Sequence, residues 1–171
     1  MTTQIPTDPW QVAAQVVDPE LPMVTVADLG ILREVRTDPR DPAMVEVTIT
    51  PTYAACPALA EIRADLRGAL NRAGYCRVAV RTVLSPPWSS AWITAEGRRK
   101  LAAHGVSPPG QAAPAASGPV TVSLAATRLD ASCPRCGCAD TELLSRFGPT
   151  PCTALARCRG CREPFEHVKE I

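Results

Sequence analysis

The sequence predicts an α+β fold, a small mixed sheet with helices on one face in the order αββαβα, followed by a zinc-ribbon-like metal module. Six of the eight cysteines fall in the C-terminal part, beginning with Cys133. Residues 107–119 contain only Pro, Gly, Ala, Ser and one Gln, too little apolar surface to offset the entropy of ordering. We therefore expect an α+β domain at 1–106, a linker at 107–119 and a metal module at 120–171.

The first predicted elements are a short helix and a β-hairpin. Residues 10–17 carry apolar side chains at helical spacing, and the Asp18-Pro19 pair ends the helix because a proline disfavours α geometry at the preceding residue. Residues 29–35 and 44–50 are β-rich, and the second run alternates apolar with polar side chains. Since residues 40–42 read as a turn, the two runs predict a hairpin.

The strongest helix signal covers residues 57–73. Apolar side chains recur there every three or four residues, at Leu59, Ile62, Leu66 and Leu70. Gly74 supplies a stop signal, and residues 77–84 then alternate as a third strand. Thr94 can cap a last helix that runs toward Gly105. These elements complete a compact domain with helices covering a small sheet.

Charge and hydropathy narrow the function classes. The formal net charge is +1 and the basic residues form no stripe, which argues against a nucleic-acid binder. No apolar run approaches the roughly 18 residues that span a bilayer, and the first ten residues lack the pattern of an export signal. We expect a cytoplasmic protein that binds neither nucleic acid nor membrane.

The C-terminal cysteines form two knuckles, Cys133-Pro-Arg-Cys136 and Cys158-Arg-Gly-Cys161. A reducing cytosol disfavours structural disulfides, so these thiols point to metal ligation or thiol chemistry. Two such knuckles, joined by a β-hairpin, can place four thiolates tetrahedrally around one ion. We expect structural zinc, with iron in a rubredoxin-like site as the alternative and unrelated thiols in a tail as the simplest competing interpretation. Metal binding would supply much of the folding free energy of so small a module.

Four further side chains lie outside this ligand set. Cys138 and Cys152 are spare thiols that are either buried or complete an alternative set with a cluster. His104 and His167 are expected to be surface side chains rather than ligands.

Cys56 is the second candidate site. Proline is favoured at the first helical position, so Pro57 places Cys56 at or near the helix N-cap. The unpaired N–H groups and the dipole at that end favour an anion, so we expect a lowered thiol pKa. A cysteine in this position can act as a nucleophile, a redox thiol or a soft metal ligand. The competing interpretation is a small buried side chain.

The remaining candidate residues are interpreted structurally. Cys76, at the start of a predicted strand, is expected to have a packing role. Asp18, Glu20 and Asp28 sit around turns, where carboxylates commonly accept hydrogen bonds from nearby backbone N–H groups.

Longer stretches carry a resemblance to a known family. Residues 17–31, VDPELPMVTVADLGI, and residues 48–57, with their Cys-Pro step, resemble the iron-sulfur assembly domain of SufT-like proteins and of the eukaryotic cytosolic iron-sulfur targeting component. The resemblance covers most of residues 10–105 and includes SPPWSSAW at 85–92. Residues 145–165 are similar to the C-terminal extension of the PaaD family, also called PaaJ, of bacterial phenylacetate degradation. That family is named as a subunit of the ring 1,2-phenylacetyl-CoA epoxidase.

The resemblance implies an accessory protein rather than the oxygenase itself. The chain lacks the Glu-x-x-His helices of a di-iron protein and the Gly-rich fingerprint of a dinucleotide-binding reductase. By family analogy, Cys56 holds or passes iron or an iron-sulfur cluster during maturation or repair of the epoxidase's iron-sulfur or di-iron centre. The implied partners are the oxygenase or reductase components and the iron-sulfur assembly machinery.

Three functional alternatives follow from this reasoning. The first is the maturation factor, and the second is a non-catalytic structural subunit that stays in the oxygenase complex. The third is a thiol enzyme working through Cys56, although no general base is identifiable near it in the sequence. A homodimer would let two Cys56 thiolates share one cluster.

Overall fold

The structure is a computed structural model that describes residues 8–53, 56–110 and 131–170. The chain divides into two compact units, Met1–Lys100 and Leu101–Ile171. Most of the predicted linker, residues 111–119, lies outside the described residues, as does the start of the predicted module, residues 120–130. Within the described ranges, no helix has the length and apolar character needed to cross a membrane.

The N-terminal unit has the predicted element order. Its elements are α1 (Pro9–Ala14), β1 (Leu32–Asp38), β2 (Asp41–Ile49), α2 (Leu59–Arg72), β3 (Arg77–Thr82), a 3₁₀ turn (Ser90–Trp92) and the start of α3 (Ala95–Ala103). The strands form a sheet in the order β1-β2-β3, with β1 and β2 antiparallel and β2 and β3 parallel. This mixed sheet confirms the predicted α+β architecture.

The core of this unit lies between the sheet and its helices. Residues 45, 47 and 49 of β2 are fully buried, as the alternating pattern predicts. On α2, the buried side chains are Ile62, Leu66 and Leu70. Because α2 packs on β3 and α1 packs on both β1 and α2, the apolar faces of these helices are covered.

The boundaries at the start of the chain differ from the predicted ones. The first helix ends at Ala14, and Val17 instead forms an isolated bridge with Thr25. The first strand begins at Leu32 rather than at residue 29, because Gly30 adopts the left-handed conformation, with φ of +68°, and closes a turn ahead of the strand. The hairpin turn is also tighter than predicted, since residues 38 and 41 already pair across the strands.

The helix boundaries at α2 and α3 show one correction and one confirmation. Helix α2 begins at Leu59 with Ala58 as its N-cap, so Pro57 is not the first helical residue, contrary to the prediction, while Cys56 lies near the cap, two residues ahead of it. For α3, the hydroxyl of Thr94 accepts a hydrogen bond from the N–H of Gly97 at 2.9 Å, which confirms the predicted cap.

The C-terminal unit is a four-stranded sheet in the order β4-β7-β6-β5. Its strands are β4 (Val106–Ser107), β5 (Thr141–Ser145), β6 (Thr153–Cys158) and β7 (Pro164–Val168). The pairs β5–β6 and β6–β7 are antiparallel, so the predicted hairpin between the knuckles is present, and β4 joins β7 in parallel. Ser107, predicted as the first linker residue, is instead 1% exposed in β4. The sequence does not reveal this strand, because two residues beside prolines carry no distinct signal.

Candidate metal centre and the Cys56 thiol

Four cysteines of the C-terminal unit converge from two turns. Cys133 and Cys136 precede β5, in a turn closed by a hydrogen bond from the N–H of Gly137 to the carbonyl of Cys133 at 2.9 Å. Cys158 ends β6, and its N–H donates to the carbonyl of Glu163 at 3.0 Å, which closes the turn around Cys161. Backbone hydrogen bonds therefore fix both pairs in place.

The sulfur geometry fits one tetrahedral ion. All four Sγ atoms lie within 4.8 Å of one another. The Cys133–Cys161 pair is 3.7 Å apart and the Cys136–Cys158 pair 3.6 Å. Four thiolates at about 2.3 Å from a zinc ion would be about 3.8 Å apart. The donor set thus has both the chemistry and the spacing of a structural four-thiolate site.

The thiols of this cluster differ in acidity. The N–H of Cys161, 3.4 Å from the sulfur of Cys158, is the main reason that the pKa of Cys158 is lowered to about 6. The N–H of Cys138 lowers the pKa of Cys136, but the neighbouring sulfurs and burial outweigh it and raise this pKa to about 12. Cys158 is therefore more acidic than Cys136 in this cluster.

Neither spare thiol joins the four ligands. Cys138 packs against the small core of this unit, and Cys152 has its sulfur 3.2 Å from the hydroxyl of Thr150. Within the described part of the chain, no other group of three or more ligating side chains converges in this way. His104 is exposed as predicted, but His167 is only 3% exposed because β7 carries it into the interior, so its predicted surface position is wrong.

Cys56 lies in the connection from β2 to α2. Its N–H donates to the carbonyl of Tyr53 at 3.1 Å, and its own carbonyl accepts from the N–H of Leu59 at 3.2 Å. The residue is half-buried. The turn therefore holds the thiol just ahead of the helix.

The pKa of the Cys56 thiol is raised, so the prediction of a lowered pKa is wrong. Burial is the main cause, and the charges of Glu20 and Asp18 add to it. The N–H groups of Ala58 and Leu59 act in the opposite direction but do not prevail. The sequence shows no local signal for this effect, because the carboxylates and the thiol are far apart along the chain.

The predicted turn roles of the acidic residues are confirmed for Asp18 and Asp28. The carboxylate of Asp18 accepts hydrogen bonds from the N–H groups of Glu20 and Leu21, both at 2.9 Å. Asp28 accepts from the N–H of Thr25 at 3.0 Å and lies 2.7 Å from the ammonium of Lys100. Burial alone would raise the pKa of Asp28, but Lys100 and Thr25 together lower it.

Cys76 differs from Cys56 in its surroundings. It is exposed, with its sulfur 3.8 Å from the carbonyl of Gly74, so the structure does not bear out a packing role. The N-terminal unit thus holds one half-buried thiol beside acidic residues and one exposed thiol, which makes Cys76 a matched control for Cys56.

Both parts of the chain match described protein families. Residues 11–81 match the family "Iron-sulfur cluster assembly protein", and residues 117–169 match the family "PaaD zinc beta ribbon domain". The chain is also 38% identical over 165 residues to a protein of Escherichia coli (strain K12) that is named as one of the subunits of a "Putative 1,2-phenylacetyl-CoA epoxidase". That match covers 95% of this chain and 91% of the relative.

Two solved structures are similar to the chain over part of its length. A domain of unknown function from Bacillus anthracis is 27% identical, with a TM-score of 0.49, covering 54% of this chain and 87% of that one. A conserved hypothetical protein from Thermotoga maritima is also 27% identical, with a TM-score of 0.48, covering 59% of this chain and 98% of that one.

Proposed function

Because the chain belongs to the PaaD family of 1,2-phenylacetyl-CoA epoxidase subunits, we propose that it is an accessory component of that ring-oxygenase system in aerobic phenylacetate degradation. It aids the maturation or repair of the iron-sulfur or di-iron centre of a partner component. The observation that carries this proposal is the combination, in one chain, of an iron-sulfur assembly domain with the ribbon of this family. Its place of action is the cytoplasm.

The chemistry of Cys56 suits a carrier of iron or of an iron-sulfur cluster as cargo. Its thiol keeps its proton at neutral pH because burial, Glu20 and Asp18 disfavour the thiolate. The same negative charges attract a cation, whose binding would displace the proton. A single thiolate ligand from one chain holds its cargo less tightly than four would, and this lability suits transfer.

The four-cysteine centre suits a structural role. Cys133, Cys136, Cys158 and Cys161 would hold zinc, which has no redox chemistry and prefers the tetrahedral thiolate geometry that these sulfurs offer. An ion held there would stabilise the fold of the C-terminal unit. Iron in the same four-thiolate site is the competing assignment.

Metal analysis of anaerobically purified protein tests the proposal, with Cys56→Ser beside the unaltered chain and Cys76→Ser as the matched control. We expect about one zinc per chain in all three proteins, as for a closed structural site. Iron and labile sulfide should be present in the unaltered chain and in Cys76→Ser but absent from Cys56→Ser. Equal iron and sulfide in all three would contradict a carrier role for Cys56.

A second candidate function is a non-catalytic structural subunit that stays in the oxygenase complex. The observation that favours it is the designation of the Escherichia coli relative as a subunit. Purification of the active epoxidase distinguishes the two. A stoichiometric copy of this chain, required for turnover after the metal centres are complete, would favour the structural role. A chain that is dispensable once the centres are loaded would favour maturation.

A further inference from the structure

The C-terminal unit exposes an apolar patch at one edge of its sheet, formed by Leu143, Leu144 and Phe147. These side chains are 39%, 46% and 83% exposed, respectively. Consecutive residues of a strand normally face opposite sides of the sheet. Here, both leucines reach solvent because residue 143 pairs with residue 156 and residue 145 with residue 155, which leaves Leu144 in a bulge.

The surroundings of this patch carry positive charge. Arg146 is exposed and forms no ion pair within the described residues, and the ammonium of Lys169 lies 5.6 Å from the ring centroid of Phe147. The acidic residue of β5, Glu142, is already engaged by Arg157 and by Arg159, the latter at 3.3 Å. The charge left over beside the apolar side chains is therefore cationic.

The edge of β5 favours contacts through side chains. In the part of the chain that the structure describes, β5 pairs with β6 on one side and with no strand on the other. A bulge in an edge strand twists it and disfavours pairing with an added strand. A partner would therefore bind the protruding leucines and Phe147 rather than extend the sheet.

We propose that this patch docks the C-terminal unit onto a component of the epoxidase whose contacting surface is apolar and bordered by carboxylates. The inference rests on the proposed function, because that function supplies the class of partner. Phe147 is the expected anchor, since large aromatic side chains that become buried contribute most of the affinity in such interfaces. Arg146 and Lys169 would set the charge preference and the association rate.

The test measures binding of the full, zinc-loaded chain to each purified oxygenase and reductase component in turn. Phe147→Ser removes the anchor and Arg146→Glu reverses a charge. We expect each to weaken binding by about tenfold or more, in the range of interface hot spots. Arg146→Glu should also reduce the salt dependence of binding. The matched control is Leu84→Ser, which removes an exposed leucine, 55% exposed, from the N-terminal unit and should bind normally.

Zinc content and circular dichroism show whether each variant is folded. Phe147→Tyr keeps the aromatic ring, so it should bind like the unaltered chain if Phe147→Ser loses binding through the interface. The proposal is overturned if no component binds the unaltered chain or if the two patch variants bind as it does. It is also overturned if the variants change only the oligomeric state, since a second copy would then cover the patch. The proposal is likewise overturned if the variants change only how readily a protease cleaves residues 111–130, since that segment would then cover the patch.

The docking experiment can fail without the metal analysis of Cys56 failing, and the reverse is also true. Cys56→Ser should lose iron and sulfide while its patch still binds the partner, so the two measurements respond to different substitutions. Loss of iron with normal docking would support both proposals. Loss of docking in the patch variants with normal iron content in the free chain would assign the two tasks to different units.

Discussion

Cys56 has two carboxylates, Asp18 and Glu20, acting on its thiol. Burial and these charges raise the pKa of the thiol, although the N–H groups at the start of α2 oppose them. A thiol in such surroundings reacts slowly with electrophiles at neutral pH because the thiolate is the nucleophile. It can still bind a cation, which replaces the proton and is attracted by the same carboxylates.

Glu20→Gln should lower the pKa of Cys56, because it removes one of the charges that disfavour the thiolate. The measurement is the rate of alkylation of Cys56 against pH, followed by mass spectrometry of the Cys56 peptide. In the unaltered chain the rate should rise only above the pH at which an ordinary thiol deprotonates. In Glu20→Gln the whole profile should move to lower pH.

The matched control is Glu34→Gln, a neutralised glutamate on β1 that has no part in the surroundings of Cys56. Its profile should coincide with that of the unaltered chain. A Glu20→Gln profile that stays in place, or that moves to higher pH, would mean that the carboxylate does not act on the thiol.

At this scale the sequence predicts the identity of the candidate residues better than their environment. The four candidate ligands can be predicted from the spacing of Cys133, Cys136, Cys158 and Cys161, because two Cys-x-x-Cys pairs at this separation are typical of one metal site. The acidity of Cys56 could not be predicted, since it depends on carboxylates brought near by folding. The interior position of His167 was missed for the same reason.

Gly97 lets α3 pack closely against the turn that contains Asp28. A Cβ added at Gly97 would lie 2.7 Å from the carbonyl oxygen of Asp28. The N–H of Thr94 also donates to that oxygen, at 2.9 Å. The helix and the turn are thus joined by backbone atoms that cannot move aside without breaking a hydrogen bond.

Gly97→Ala should lower the free energy of unfolding of the N-terminal unit by about 1–3 kcal/mol, the usual cost of forcing extra atoms into a packed contact. The measurement is urea unfolding followed by tryptophan fluorescence. All three tryptophans lie in this unit, at positions 10, 88 and 92, so the signal does not report on the other.

Gly68→Ala is the matched control on α2. A Cβ there would meet only the mobile guanidinium of Arg72, at 3.2 Å, so the substitution should be neutral or stabilise the helix by about 0.5–1 kcal/mol. Equal effects of the two substitutions would show that the contact at Gly97 is not tight. A Gly97→Ala protein as stable as the unaltered chain would lead to the same conclusion.

At the scale of elements the sequence predicts their order and type but not all of their ends. The alternation in β2 and the periodicity of α2 identify these elements because each buries one face. The predicted start of α2 is too early. Proline is favoured at the first helical position, but Pro57 lies in a turn and the helix begins at Leu59. Ser107 was missed because β4 exists only by pairing with β7.

The C-terminal unit has a small core that includes two of its candidate ligands. Its buried cluster consists of Ala131, Cys133, Ala156, Cys158 and Phe165, with Cys138 packed against it. Two of these residues, Cys133 and Cys158, are candidate ligands of the four-cysteine centre. Leu101, Val106, Ala154 and Val168 are also buried in this unit, but most of its described buried side chains are small, so a bound ion would add substantially to its stability.

Chelation of the metal should unfold the C-terminal unit and leave the N-terminal unit folded, since we propose that the two units, Met1–Lys100 and Leu101–Ile171, fold separately. Limited proteolysis with mass spectrometry should then find new cleavage sites only in the C-terminal unit. The tryptophan-detected urea midpoint should stay where it is. Re-addition of zinc should restore protection, as in other small domains whose folding depends on a metal.

A Cys133→Ser chain provides the control, because it should have the protease sensitivity of the chelated protein without any chelator. Persistent protection of the C-terminal unit after complete metal loss would contradict the metal-dependent fold. A parallel fall in the urea midpoint would contradict the division into separate domains.

The four candidate ligands differ in burial, and this would affect how fast a bound ion exchanges. Cys133 and Cys158 face the interior, whereas Cys136 and Cys161 are exposed. A small competing ligand can therefore attack an ion from the outer side while the inner sulfurs still hold it. Exchange would then be associative, with a rate that grows with the concentration of the incoming ligand, and the lifetime of the ion would be set by the thiols in the surrounding solution rather than by unfolding.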